Sequence, residues 1–160
     1  MTGSTYPFSS GNIITSAGQN EVSMSLIGSD AGGTSTNTSY VQLGSSISIP
    51  ANTVEDHILI IVDYRTTIGF TYSGGEDVSM KIVIDSTDKK EWDPVQSAGF
   101  SISGHSGNMN VSQCGTLFYH YTPSSGEKTA GFDVKIYGKV STTDGANNQM
   151  IATDIYVYGG

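Results

Sequence analysis

The sequence predicts an all-β protein, an antiparallel, jelly-roll-like β-sandwich of about ten strands. Three observations carry that prediction. Apolar residues alternate with polar ones at a period of two, as in Phe132-Asp-Val-Lys-Ile-Tyr-Gly-Lys-Val140. Turn residues separate short runs of this kind along the whole chain, which favours a sandwich or barrel. The composition agrees: 23 Ser, 17 Thr and 20 Gly, with only 14% of residues charged. Thr suits strands because its branched Cβ packs on a pleated surface.

The elements follow in chain order. Residues 1–20 are rich in Gly, Ser and Thr, with isolated apolar Tyr6, Phe8, Ile13 and Ile14. They read either as a frayed terminus or as an N-terminal arm whose four apolar pegs lie on a neighbouring subunit. Residues 21–160 read as one sandwich domain, long enough to bury a core. Its first strand candidates are 21–27, 39–43 and 46–49, with a flexible Gly- and Thr-rich loop over 28–38. Residues 57–62 are apolar on both faces and should form a central strand. The stretch Ala51 to Ile68 is too crowded with β-branched residues to be helix. Val78-Ser-Met-Lys-Ile-Val-Ile84 alternates cleanly. Asp85 to Asp93 reads as a solvated connection, with Trp92 covering one end of the sandwich and a turn at Asp93-Pro94. Strands are then expected at 99–103, 108–112 and 116–121, a turn at Pro123-Ser-Ser-Gly126, and the last two strands at 132–140 and 151–157. Thr153 is an anomaly, a polar residue on the apolar set of its strand.

The segment Ser46-Ile-Ser-Ile-Pro-Ala-Asn-Thr-Val54, running into His57-Ile-Leu-Ile-Ile-Val-Asp-Tyr64, reads as strand, sharp turn and buried strand. Over about residues 46–85 it resembles the β-sandwich domains of tailed-phage virion proteins, namely head decoration (cement) proteins, head fibres and tail-fibre modules. Where that group tends to have Leu after the Asn-Thr pair, this chain has Val54. The resemblance implies a viral structural protein: a capsid decoration protein that binds and stabilises the capsid exterior. Its partners would be the major capsid protein and further copies of itself, most often as a homotrimer. The alternative is a fibre module or a carbohydrate- or receptor-binding sandwich gripping a host-surface glycan.

Charge bears on partners. Seven basic against fifteen acidic residues give a net charge of −8, which disfavours direct nucleic-acid binding and suits the outside of a shell. The N-terminus lacks the charged and apolar regions of a signal peptide, and the longest apolar run is too short to span a bilayer. A product made in the host cytoplasm and carried in the virion is therefore expected.

No catalytic residue, metal ligand or cofactor-binding motif emerges. His57, His105 and His120 lack zinc-site spacing, and His57 and His120 read as structural residues. The acidic cluster of residues 85–93 lacks an EF-hand pattern and contains Lys89 and Lys90. Gly104-His-Ser-Gly107 departs from the nucleophile-elbow pattern, with Asn108 at the final position. Cys114, the single cysteine, reads as a small buried hydrophobe. Sequons at Asn37 and Asn110 are expected by chance in so Ser- and Thr-rich a chain. Nine tyrosines remain. Most would fill half-exposed strand faces, but Tyr137, Tyr156 and Tyr158 fall on the non-core faces of the last two strands. Together they are expected to form an exposed aromatic stripe, an interface.

Overall fold

A computed structural model describes residues 24–54, 56–70, 77–96, 109–140 and 148–160. Among the described residues, ten strands form two antiparallel five-stranded sheets. The first comprises β1 (Ser25–Asp30), β2 (Gly33–Ser35), β5 (Ile58–Phe70), β8 (Met109–Tyr121) and β10 (Gln149–Gly159). Its order is β1-β10-β5-β8, with β2 also on β10. The second comprises β3 (Val41–Gln42), β4 (Ile47–Ile49), β6 (Asp77–Ile84), β7 (Thr87–Gln96) and β9 (Phe132–Val140). Its order is β3-β9-β6-β7, with β4 also on β9. The chain stays in one sheet from β1 to β2, from β3 to β4 and through the β6–β7 hairpin, and changes sheet between every other pair of successive strands, so sequence neighbours such as β9 and β10 lie in opposite layers. This is the winding of a jelly roll.

Alternation dictates the core. Along β9 the inward set Phe132, Val134, Ile136, Gly138 and Val140 is buried, and Asp133, Lys135, Tyr137 and Lys139 face out. Ile58, Ile60, Val62, Tyr64 and Ile68 of β5 meet Val78, Met80, Ile82 and Ile84 of β6 in one hydrophobic cluster between the sheets. Each large side chain moved from water into this layer contributes about 1.5–3 kcal/mol. As its two apolar faces predict, β5 is a central strand, flanked by β10 and β8.

The Thr153 anomaly has a physical resolution. The β10–β5 register shifts between Ala152 and Asp154, so an extra residue is accommodated there as a bulge. Met150 and Ala152 point inward before it, and Ile155 and Val157 after it. Thr153 is left exposed, its hydroxyl donating to the Asp63 carbonyl at 3.1 Å.

The Ile49-Pro-Ala-Asn-Thr turn is explained by its residues. Pro50 ends β4, and Asn52 takes φ 57°, a left-handed conformation that Asn tolerates better than most residues. The Asn52 amide donates to the Lys128 carbonyl at 2.7 Å, anchoring the turn to a short helix, α1 (Ser125–Ala130). Gly131 ends that helix at φ 78°, where a Cβ would fall 2.7 Å from the Ile49 carbonyl oxygen. Val54 is buried in the core.

Several sequence expectations need correction. The solvated connection after Asp85 is only the two-residue turn Asp85-Ser86, because Ile84 already pairs with Thr87 across the hairpin. Asp85 takes φ 53°, and its carboxylate accepts the Asp133 amide at 2.9 Å. Asp93-Pro94 lies within β7 rather than in a turn; Pro is tolerated there because β7 is an edge strand. Trp92 is half-buried against the core and meets Tyr119 of β8 edge to face at 6.1 Å. The strand candidates at 108–112 and 116–121 merge into β8. The Pro123-Ser-Ser-Gly126 turn is the start of α1, whose N-cap Ser124 and Glu127 form a capping box. The candidate strand at 99–103 and the four apolar pegs Tyr6, Phe8, Ile13 and Ile14 lie outside the described residues.

Candidate interaction surface

The outer face of the β1-β10-β5-β8 sheet is built by strand register. Leu26, Tyr158, Leu59 and His120 line up across its four strands. The next outward row is Ser29, Tyr156, Ile61 and Phe118. Alternation on β5 thus places Leu59 and Ile61 outward while Ile58, Ile60 and Val62 fill the core. Phe118 is 64% exposed and Leu26 53% exposed; Tyr156, Tyr158, Leu59 and Ile61 are half-buried. Cross-strand neighbours stand about 4.8 Å apart, so these two rows make a continuous apolar and aromatic patch at one end of the sheet.

Polar groups border the patch. On the far side of the Tyr156 row, Asp63 and Asp154 are register partners. Asp63 accepts a hydrogen bond from the Thr116 hydroxyl at 2.5 Å. The charge of Asp154, with desolvation and the nearby Asp63 and Tyr158, holds the Tyr156 phenol above its ordinary pKa. At the opposite rim His57 and His120 stand exposed with ring centroids 4.8 Å apart. His57 Nδ1 lies 3.3 Å from the Thr122 hydroxyl. Hydroxyl, imidazole and carboxylate groups thus edge an apolar floor, an arrangement suited to docking another surface.

Tyr156 and Tyr158 are brought together here, and Tyr137 is not. The expected three-tyrosine stripe fails because β9 and β10, adjacent in sequence, belong to opposite sheets. Tyr137 stands on the other outer face, opposite Gln42 and Lys81. That face is a lattice of paired charges. Lys81 and Lys139 each hold their ammonium 4.5 Å from the Tyr40 ring centroid. The Tyr40 hydroxyl donates to Glu91, Lys81 pairs with Asp88 at 2.8 Å, and Ser79 donates to Asp93 at 2.7 Å. Burial first, then the Glu91 hydrogen bond, push the Tyr40 phenol far above its ordinary pKa.

Cys114 is exposed, contrary to the buried position expected from its apolar neighbours. It shares the outward parity of Thr116 and Phe118, while Leu117, Tyr119 and Tyr121 pack inward. His57 and His120 lie at the surface, where their rings meet each other and His57 meets the Thr122 hydroxyl. What the sequence reading missed is the contribution of Leu59, Ile61 and Phe118. The signal was the run of apolar residues on both faces of β5, read as burial on both sides. Among the described residues, no group of three or more His, Cys, Asp or Glu side chains is placed to hold a metal ion. No helix among them is long and apolar enough to cross a membrane.

No protein-family model matches the sequence, and no curated protein matches it. Among solved structures, a chain of the infectious bursal disease virus Gt strain aligns with 86% of this chain at 14% identity and a TM-score of 0.40. A chain of the T13 particle of the same virus aligns over 86% with the same identity and TM-score. This chain spans about a third of the length of those proteins, 32% and 30% respectively. They come from a virus of a different type from the tailed phages. A likeness of that degree carries no functional conclusion, and the surfaces of this chain itself decide what it can do.

Proposed function

We propose that this chain is a structural, non-catalytic component of a bacteriophage particle, a decoration protein that binds the capsid exterior as a homo-oligomer. The observation that carries this reading is the apolar patch of Leu26, Tyr158, Leu59, Tyr156, Ile61 and Phe118 on one sheet face. The opposite face satisfies its own charges. An exposed patch of that kind on a stable sandwich marks a surface that another protein covers. The resemblance of residues 46–85 to phage virion sandwiches supports the same role. So does the net charge of −8, which suits an outward-facing surface rather than contact with packaged genome.

The test is solution mass by light scattering, followed by co-sedimentation with capsids that lack the protein. A stable oligomer that co-sediments supports the proposal. A monomer that ignores capsids overturns it.

One observation favours a second reading as a carbohydrate-binding module. Tyr156, Tyr158 and Phe118 share the outer sheet face with the acceptor carboxylates of Asp63 and Asp154, a combination suited to the apolar and hydroxyl sides of a sugar. A glycan array read against the capsid assay separates the two.

A further inference from the structure

The two long edge strands are managed in opposite ways. β7, the edge of the second sheet, runs Thr87-Asp-Lys-Lys-Glu-Trp-Asp-Pro-Val-Gln96. Its charged side chains, its proline and two register shifts against β6 are the devices by which a sheet edge is kept from recruiting another strand. β3 and β4 are only two and three residues long, and β1 is short and interrupted by a register shift. β8 has none of these protections. It is 13 residues long, pairs with β5 without a register shift from end to end, and contains no Asp, Glu, Lys, Arg or Pro. Among the described residues no strand pairs with its other side. A strand of that length presents a hydrogen-bonding edge of roughly 40 Å.

We infer that the free edge of β8 pairs with β8 of a second copy of this chain, antiparallel about a two-fold axis, joining two sandwiches through one continuous sheet. Charge leaves β8 as the strand along which two copies can meet. Two chains of net charge −8 repel through most of their surfaces, and β8 brings no charged side chain to the contact. The strand is also self-complementary. Full overlap about an axis through Gly115 sets Cys114 opposite Thr116 of the second copy and Phe118 opposite its Ser112. The exposed Phe118 ring then covers small side chains, and hydroxyls face the Cys114 thiol, with no like charges opposed. An isologous contact of this kind closes at two copies, and Phe118 is the residue that it shares with the apolar patch proposed to meet the capsid. The inference stands apart from the virion role.

Cys114 is the only cysteine, is exposed, and lies next to the expected axis. A short bismaleimide added to the intact protein at low concentration therefore reports on this strand alone. A covalent two-chain product in high yield is expected. It should fall at least about tenfold, corresponding to about 1.4 kcal/mol, in Thr116→Lys, which sets like charges near the axis. Ser112→Lys serves as the second variant: Thr116 also donates to the Asp63 carboxylate, whereas the Ser112 hydroxyl meets the Thr67 hydroxyl at 3.2 Å. Hydrogen exchange gives the independent reading: β8 amides directed away from β5 should exchange slowly in the wild type and rapidly in both variants. No covalent product, or a yield unchanged in both folded variants, overturns edge pairing. Slow β8 exchange in a monomer overturns it too, since the edge is then covered by the chain's own residues. Capsid binding without the covalent product would sink this inference alone and leave the virion proposal intact.

Discussion

Gly115 lies directly beneath the ring of Tyr64: a Cβ at Gly115 would fall 2.7 Å from the Tyr64 hydroxyl oxygen and 2.9 Å from the adjoining ring carbon. The two residues are register partners on β8 and β5, and Tyr64 is one of the largest side chains in the core. A glycine in the middle of a strand is ordinarily a weakness, but here it makes room for an aromatic ring. Gly115→Val should therefore destabilise the fold by about 1–3 kcal/mol, the usual cost of overpacking. Urea unfolding checks this. Gly115→Val with Tyr64→Leu should recover part of the loss, because the smaller partner vacates the space.

The helix α1 depends on one carboxylate. Glu127 accepts from the Ser124 amide at 2.7 Å and from the Tyr121 hydroxyl at 2.7 Å, and Lys89 lies 3.7 Å away. Burial pushes the Glu127 pKa up, but the hydrogen bonds from Tyr121 and Ser124, with the charge of Lys89, outweigh it and hold the carboxyl below its reference value of 4.5. A carboxyl depressed in the folded state adds stability that is present above its unfolded pKa and lost as pH falls through the folded value. Glu127→Gln should be less stable at neutral pH and should lose less on acidification than the wild type. Ser124→Ala should cost about 1 kcal/mol through the lost cap. Thermal melts across the acid range measure both.

At alkaline pH the tyrosines separate. Burial and the Glu91 hydrogen bond raise Tyr40, burial and Glu127 raise Tyr121, and the charge of Asp154 raises Tyr156. For a phenol raised in the folded state, the stabilisation is full below its unfolded pKa and is lost as pH rises through the folded value. Ultraviolet titration should show these three ionising late, and Tyr40→Phe should remove the latest phase. The same variant keeps the ring between Lys81 and Lys139 but loses the Glu91 bond, at about 1 kcal/mol near neutral pH. A latest ionisation phase that survives in Tyr40→Phe would contradict this picture.

The two outer faces give an internal control for the proposed role. Tyr156→Ala with Tyr158→Ala should weaken capsid co-sedimentation by at least about tenfold, since aromatic anchors carry a large share of interface energy. Tyr137→Ala, on the opposite sheet, should leave it unchanged. Equal loss from both would place the contact elsewhere. Loss of glycan binding with capsid binding spared would favour the carbohydrate reading.

Much of the fold was legible in the residues. The alternation in Phe132 to Val140 fixed which side chains enter the core, because period two leaves one face for each set. The central position of β5 followed from Ile58 to Val62, and the turn at Pro50 and Asn52 from residues that favour such backbone angles. Elements that depend on competition were harder to read. β7 looked like a loop because its charges and Pro94 protect a sheet edge, and α1 looked like a turn although Ser124 and Glu127 carry the capping signature. Cys114 looked buried because its neighbours are apolar, yet one residue of parity put it outside.

Sequence alone determined the class, a two-layer β structure with a core drawn from one parity of each strand, since local alternation and turn chemistry require no partner. Tertiary structure alone decided which outward faces became neighbours. Register set Leu26, Tyr158, Leu59 and His120 in one row, and winding sent Tyr137 to the opposite layer. Pairing between strands far apart in the chain is chosen by the whole set of long-range contacts at once, and no local pattern encodes it.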